Sequence, residues 1–308
     1  MDDPGVPVNT CLGIDHTHAR FDSTVPPALR VEPGEVFTLR AASLLDNELF
    51  GVSDEYERMA IPITGPVHVQ GAAAGTVLRV DVRRIRLADA GAMVTIPGRG
   101  AFSHHMARTH RVVRIRDGQV WFDDDTPIPL DPMVGKIGVS PAGPAPSSST
   151  VGGFGGNMDC REVRAGCSVL LPVQVDGALL YAGDLHAAQG DGESSMTAVE
   201  TAGEIELSCA VLTDLPLARP IVLTPDTVFT IGDGESLDEA ARAALDDMLA
   251  LLVADRGWTP EEAAMFVSAA GNVGVCQLVN PRLSARVGVP FSAFRSPRHR
   301  DLLRCPAL

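Results

Sequence analysis

Lysine is almost missing from this chain of 308 residues: Lys136 is the only one, although arginine is abundant. A mechanism that needs a lysine base has a single candidate, and a compositional bias of the genome would produce the same scarcity. Positive charge is short altogether, with a formal net charge of −14. That balance repels phosphate backbones and argues against nucleic acid as the main partner. It is compatible with an enzyme acting on a neutral or cationic small molecule. No apolar run approaches the ~18 residues that a membrane helix requires. The N-terminus, Met1-Asp2-Asp3-Pro4, is acidic and lacks a signal-peptide apolar segment, so no membrane partner and a cytoplasmic location are expected. CxxC pairs are absent too. Cys11, Cys160, Cys167, Cys209, Cys276 and Cys305 are spread along the chain and read as reduced thiols rather than a disulfide framework. There is no Gly-x-Ser-x-Gly elbow and no signature of the Ser–Ser–Lys amidases. A Cys–Glu–Lys hydrolase would have to use Lys136, and Cys160, beside Asp159, reads as buried packing.

What is present is a chain with 45% hydrophobic residues, enough for one large domain or two to three smaller ones. Thr76 to Val82 alternates, with Leu78, Val80 and Val82 on one face of a strand. Arg111 to Phe122 reads as a hairpin turning at Asp117-Gly118, and Val169 to Ala182 as a second turning at Asp176-Gly177. Asp-Gly between apolar runs suits a type I′ turn, which needs positive φ twice. Glu204 to Leu212 and Ile221 to Ile231 are further strand candidates. Ser140 to Asn157 is a loop whose glycine end suggests backbone approaching a site. Helices are expected late. Ser236 to Glu239 forms a capping box before Ala240 to Ala254, with Gly257 as the stop. Thr259-Pro260-Glu261-Glu262 opens a second helix that runs to about Gly271, and a strand follows near Val273 to Val279. The expected architecture is mainly β with a late helical hairpin on a sheet.

The densest polar stretch runs from Gly183 through Asp184, Leu185, His186, Ala187, Ala188 and Gln189 to Gly190-Asp191-Gly192-Glu193. It follows an apolar strand, where buried polar groups are costly unless used. On that strand Ala178, Leu180, Ala182, Asp184 and His186 share a face by period two. An Asp-x-His pair suits a divalent metal, and zinc accepts both ligand types; a structural Asp–His hydrogen bond gives the same spacing. Asp191 and Glu193 lie in a glycine-bracketed turn that suits calcium or plain solvation. The pentapeptide Gly190 to Ser194 recurs identically as Gly232 to Ser236, where it reads as an ordinary loop before a helix cap. Asn157 and Asp159 follow the run Gly152 to Gly156, which is not a dinucleotide fingerprint because no strand precedes it and no helix follows. They suit a ligand role or an Asx turn. His16 and His18 form another possible pair, His104, His105 and His110 a looser one, and Glu200 is a possible base or a strand-edge charge.

These residues carry a pattern that resembles the acetamidase/formamidase family. The matching stretches are Gly65 to Leu78, Gly135 to Pro141, Gly153 to Asp159, and Leu171 through Gly183 and Glu193 to Glu200, with a similar helical tail and Ser268 to Asn280. The resemblance is collinear over nearly the whole chain. It implies one unit over residues 1–308, with a mainly β part at 1–150, a central β part carrying the site at 151–235, and an α+β part at 236–308. It implies a jelly-roll-like β-sandwich with a smaller barrel-like part, and a homo-oligomer. It also implies hydrolysis of a short amide, formamide or acetamide in type, to a carboxylate and ammonia with a divalent metal. The positions that match are Asn157, Asp159, Asp184, His186, Gln189, Asp191, Glu193 and Glu200. Departures stand at Ser194, Leu185, Gln70 and Ser140, and suit a subgroup with a different amide.

From this resemblance, Asp159, Asp184 and His186 are expected to hold the metal, zinc first, with Asp191 at a second cation site where calcium fits. Glu193 or Glu200 is expected to carry the proton to departing ammonia, whose expulsion requires protonation. Asn157 and the N–H groups of Gly155 and Gly156 are expected to stabilise the oxyanion, with Gln189 beside the substrate. The alternative is a non-catalytic, calcium-dependent ligand-binding sandwich using Asp191 and Glu193.

Overall fold

Alternating strands build most of the molecule, which is a computed structural model describing residues 10–43 and 61–306. The acidic segment Met1 to Pro4 lies outside the described residues. Leu78, Val80 and Val82 are fully buried on the strand Val77–Leu87. That strand sits inside a nine-stranded sheet, between Gly203–Leu212 and Cys167–Pro172. Beyond Gly203–Leu212 the sheet continues through Val36–Ala41 to Thr10–Leu12. On the other side it continues through Ile221–Leu223, Thr227–Gly234 and Leu283–Pro290 to Asn272–Gln277.

The second sheet is centred on Leu180–His186, which pairs antiparallel with Met133–Val139, Ile63–Val69 and Glu200–Thr201. Its far arm runs through Ala90–Thr95, Thr109–Arg116 and Gln119–Trp121 to Pro127–Pro129. One continuous core joins the two sheets: Leu39, Val80, Val169 and Leu207 from the first pack with Val67, Ile137, Leu180 and Leu185 from the second. The mainly β expectation therefore holds. Among the described residues neither sheet closes on itself, so the barrel-like part is not a closed barrel.

Local signals placed the helices well. Ser236 caps Leu237–Arg256 by accepting from the Glu239 N–H, and Gly257 ends it with φ 63°. Glu239 reaches back to the N–H of Glu235 rather than to the cap residue itself. Thr259 and Glu262 form a complete capping box on Pro260–Ala270. Ala244, Met248 and Leu252 pack with Val228, Val287 and Val289, which fastens the helices to the end of the first sheet. No helix of the described residues is long and apolar enough to cross a membrane.

The two expected hairpins fare differently. Asp117 and Gly118, at φ 56° and 72°, join Thr109–Arg116 to its antiparallel partner Gln119–Trp121 as anticipated. The segment at Asp176-Gly177 is no hairpin. Cys167–Pro172 lies in the first sheet and Leu180–His186 in the second. Gly177, Ala178 and Leu179 all take left-handed φ and turn the chain across the core. The Asp176 carboxylate instead accepts from the Ala74 N–H, and Gly177 exchanges backbone bonds with Ala72 and Val69. The turn chemistry is local, whereas the sheet each flanking strand joins is decided by distant partners.

Candidate active site

Register gathers the polar residues at one end of the second sheet. Lys136 lies opposite Gly183 on one neighbour and Asn157 on the other. His186 lies opposite Met133 on one side and Glu200 on the other. Asp159 follows the short strand Gly155–Asn157 and is anchored by its N–H to the Gly135 carbonyl at 3.1 Å. Glu193 comes from the turn after Gln189. Asp159, Asp184 and Glu193 have left-handed φ values of 47°, 61° and 49°. Such conformations in residues other than glycine cost energy and cluster at functional sites.

The centre is buried and rich in carboxylate. Asp159, Asp184, Glu193 and Glu200 are all buried, against one ammonium, Lys136, and one imidazole, His186. Lys136 Nζ lies 3.3 Å from Asp184 Oδ2 and donates to the Ile61 carbonyl at 2.8 Å. His186 Nε2 lies 3.0 Å from Glu200 Oε2 and 3.6 Å from Asp184 Oδ1. Burial pushes Asp159 up to about 7, helped by the Asp184 and Glu200 charges and opposed by His186 and Lys136. Burial, then the Asp159 charge, raises Glu193 well above the usual carboxylate range. Burial also raises Glu200, against the pull of His186. Asp184 behaves oppositely: burial works against its charge, but Lys136 and His186 outweigh it and hold the carboxyl low. Burial disfavours the imidazolium of His186, yet Glu200 and Asp184 carry its pKa well above normal.

This donor set fits a divalent cation. Asn157 Oδ1, Asp159 Oδ1 and Asp184 Oδ1 are buried without a hydrogen-bond partner, an expensive condition unless something draws on them, while His186 Nε2 and Glu200 Oε2 face each other at 3.0 Å. Two groups, Asp159–His186–Glu193 and Asp184–His186–Glu200, each bring one ligand atom per residue to within 4.8 Å of the others. The outer contacts have the form that orients a ligating imidazole. Gln189 Nε2 donates to the Asp159 carbonyl at 2.7 Å. That leaves Gln189 Oε1 to accept from His186 Nδ1, also at 2.7 Å. Nδ1 therefore carries a proton, and Nε2 is the ring nitrogen that faces the carboxylates. Gly135 provides the room: a Cβ there would lie 2.6 Å from Asp159 Oδ1 and 3.0 Å from His186 Cε1.

The expected residues divide. Asn157, Asp159, Asp184, His186, Glu193 and Glu200 come together. Gln189 joins them as a positioning residue rather than only a substrate contact. Asp191 departs from its expected ligand role, because Arg286 holds both its oxygens at 2.9 and 3.0 Å. Its duplicate, Asp233, is also held by an arginine, Arg282, whose Nε and Nη2 both donate to Asp233 Oδ2. The second, calcium-type site thus loses its principal carboxylate, and Glu193 turns inward instead. Gly155 and Gly156 are buried with positive φ in the sheet and do not line the cleft described below. Among the described residues His16 and His18 join neither ligand group, nor do His104, His105 and His110. Gly135 and Asn280 escaped the reading of the sequence. Asn280 Nδ2 donates to Asp159 Oδ2 at 2.9 Å from 121 residues away, with no local signal to mark it. Lys136 carried one signal, its singularity.

An open cleft of about 710 Å³ reaches this centre from the surface, and Gln189 and Glu193 belong to both. Fold and centre together define a mainly β protein built around a buried nitrogen- and oxygen-donor cluster beneath a cleft. The model of the acetamidase/formamidase family matches residues 145–296. A crystal structure of a predicted acetamidase/formamidase from Thermoanaerobacter tengcongensis superposes with a TM-score of 0.87 at 36% identity, covering 92% of this chain and 95% of that one. The acetamidase of Bacillus halodurans gives a TM-score of 0.87 at 32% identity, covering 92% and 97%. The formamidase of Methylophilus methylotrophus is 35% identical over 98 residues, 29% of this chain. That match spans only 24% of the formamidase, about a quarter of its length. The chain belongs to the acetamidase/formamidase family.

Proposed function

We propose that this protein hydrolyses a small carboxamide to a carboxylate and ammonia, using a divalent cation, zinc first, held by Asp159, Asp184 and His186. The observation that carries the reading is the pair of overlapping ligand groups that share the buried His186, with unpartnered oxygens on Asp159 and Asp184. A mixed imidazole and carboxylate set of this kind suits zinc. When bound, such a cation supplies Lewis acidity toward an amide carbonyl and makes water a better acid.

The chain's own residues do the rest. Lys136 offsets the charge of Asp184 and holds it ionised. Gln189 fixes the tautomer and plane of His186. Asn280 fixes the second oxygen of Asp159. Glu193 is the carboxylate common to the centre and the cleft, and burial beside Asp159 raises its pKa well above the usual carboxylate range, which favours the form that carries a proton. It is placed to give that proton to the nitrogen that departs as ammonia. Glu200, opposite His186 and accepting from the Ala198 N–H at 3.2 Å, is the second proton-holding group. Asn157 brings a buried side-chain amide to the interior, whose Nδ2 suits an oxyanion and whose unpartnered Oδ1 suits the cation or an amide N–H of the substrate.

The test is ammonia release from formamide and acetamide by protein of measured metal content, before and after chelation and after zinc is restored. Activity is expected to follow the metal and to vanish in Asp184→Ala and His186→Ala. Full activity in metal-free protein, or in both variants, would refute the assignment.

A further inference from the structure

The cleft is far larger than formamide or acetamide requires. Its volume is about 710 Å³. Acetamide has four heavy atoms and fills on the order of three times the ~30 Å³ of a liquid water. Much of the cleft is lined by apolar groups, with Ser194, Ser195 and Thr197 as the neutral polar hydroxyls. Met93, Ile128, Leu130 and Val199 line it, and the same residues form a small hydrophobic cluster beside the centre. Phe102, 52% exposed, stands at its lip.

The charged groups at the rim are paired with one another, Arg161, the cation of the lining, included. Asp131 is held by Arg161 at 3.2 Å and Arg164 at 3.4 Å. Asp191 is held by Arg286. The remaining carboxylate of the lining, Glu193, belongs to the buried cluster. A substrate seated with its amide at Glu193 therefore extends an uncharged, apolar remainder along Met93, Ile128 and Leu130.

We propose that the preferred substrate is a primary carboxamide whose acyl group is an apolar chain or ring larger than acetyl. This rests on the amide-hydrolysis reading above. Burying one methylene is worth about fourfold in binding. Hexanamide carries four more methylenes than acetamide, and an open cleft buries them in part. The expected gain in kcat/KM is on the order of 10- to 100-fold.

The experiment measures kcat/KM for ammonia release from formamide, acetamide, hexanamide and phenylacetamide on zinc-loaded, full-length protein. Hexanamide or phenylacetamide is expected to exceed acetamide at least tenfold. Ile128→Trp, which fills the cleft from a partly exposed position, is expected to lower the hexanamide-to-acetamide ratio at least tenfold. If kcat/KM falls steadily from formamide to hexanamide while ammonia is still released, the larger-substrate inference is wrong and amide hydrolysis stands. If Ile128→Trp folds and changes both substrates alike, the acyl group does not lie there and the inference is likewise overturned. If zinc-loaded protein releases ammonia from none of the four, the amidase reading itself falls.

Discussion

Gly135 offers the sharpest test of the centre. It lies inside the strand Met133–Val139 and is not among the residues with left-handed φ, so no backbone constraint requires glycine there. On propensity alone Gly135→Ala should stabilise the strand by roughly 0.5–1 kcal/mol. Space says otherwise. The added methyl would lie 2.6 Å from Asp159 Oδ1, 3.0 Å from His186 Cε1 and 3.1 Å from the Asp184 carbonyl oxygen. Ordinary carbon contacts begin near 3.5 Å, so two presumptive ligands must retreat by about half an ångström to one ångström. Overpacking of this kind costs about 1–3 kcal/mol. Set against the propensity gain, the net loss of stability is on the order of 1–2 kcal/mol, a few degrees in Tm for a chain this long. Function should suffer more, because a displacement near 1 Å can cost about 100-fold in rate. The assay pairs kcat/KM for ammonia release with bound zinc per chain and a thermal melt. A variant that melts higher, binds zinc fully and keeps kcat/KM within about twofold would show that the room beside Asp159 and His186 is incidental.

Three further outcomes are expected. Gln189→Leu removes the acceptor on His186 Nδ1 and the donor to the Asp159 carbonyl; zinc affinity measured by competition with a chelator should fall about 10- to 100-fold, and unchanged affinity would mean that Gln189 does not orient the ring. Asp191→Ala should leave zinc content unchanged and lower stability by about 1–2 kcal/mol in denaturant melts, because Arg286 loses its bidentate partner but keeps Glu162 at 3.4 Å; loss of the active-site metal would restore Asp191 as a ligand. Iodoacetamide should leave amidase activity intact, because Cys160 is fully buried; inactivation by iodoacetamide in metal-free protein, together with loss of activity in Cys160→Ser, would favour a cysteine nucleophile.

Legibility from sequence followed range. The helix caps at Ser236 and Thr259 were readable because donor and acceptor lie three residues apart. The turn at Asp117-Gly118 was readable for the same reason. At Asp176-Gly177 the same dipeptide misled, since pairing depends on which distant strands compete for Cys167–Pro172 and Leu180–His186. Asp184 and His186 were found by their spacing, although the left-handed φ at Asp184 means that simple alternation does not aim them. Asp159 and Glu200 were candidates from their local context, each with an equally ordinary reading, and the family resemblance gave them their expected roles. The partners that decide individual roles were out of reach. Arg286 claims Asp191 from 95 residues away, and Asn280 secures Asp159 from 121 away. No local spacing ties either partner to its carboxylate, so nothing in the sequence singles it out.

The left-handed conformations at Asp159, Asp184 and Glu193 bear on how this protein would change under selection. Each holds roughly 1–3 kcal/mol of unfavourable backbone energy, and each places a carboxylate where burial opposes its charge. Substitutions that relieve either condition, such as glycine at 159 or a neutral side chain at 193, tend to raise thermal tolerance while removing the chemistry. A library screened for heat resistance alone should therefore accumulate changes at these positions, whereas one screened for turnover should keep them fixed. The gap between the two mutational spectra would map the centre without any structure in hand.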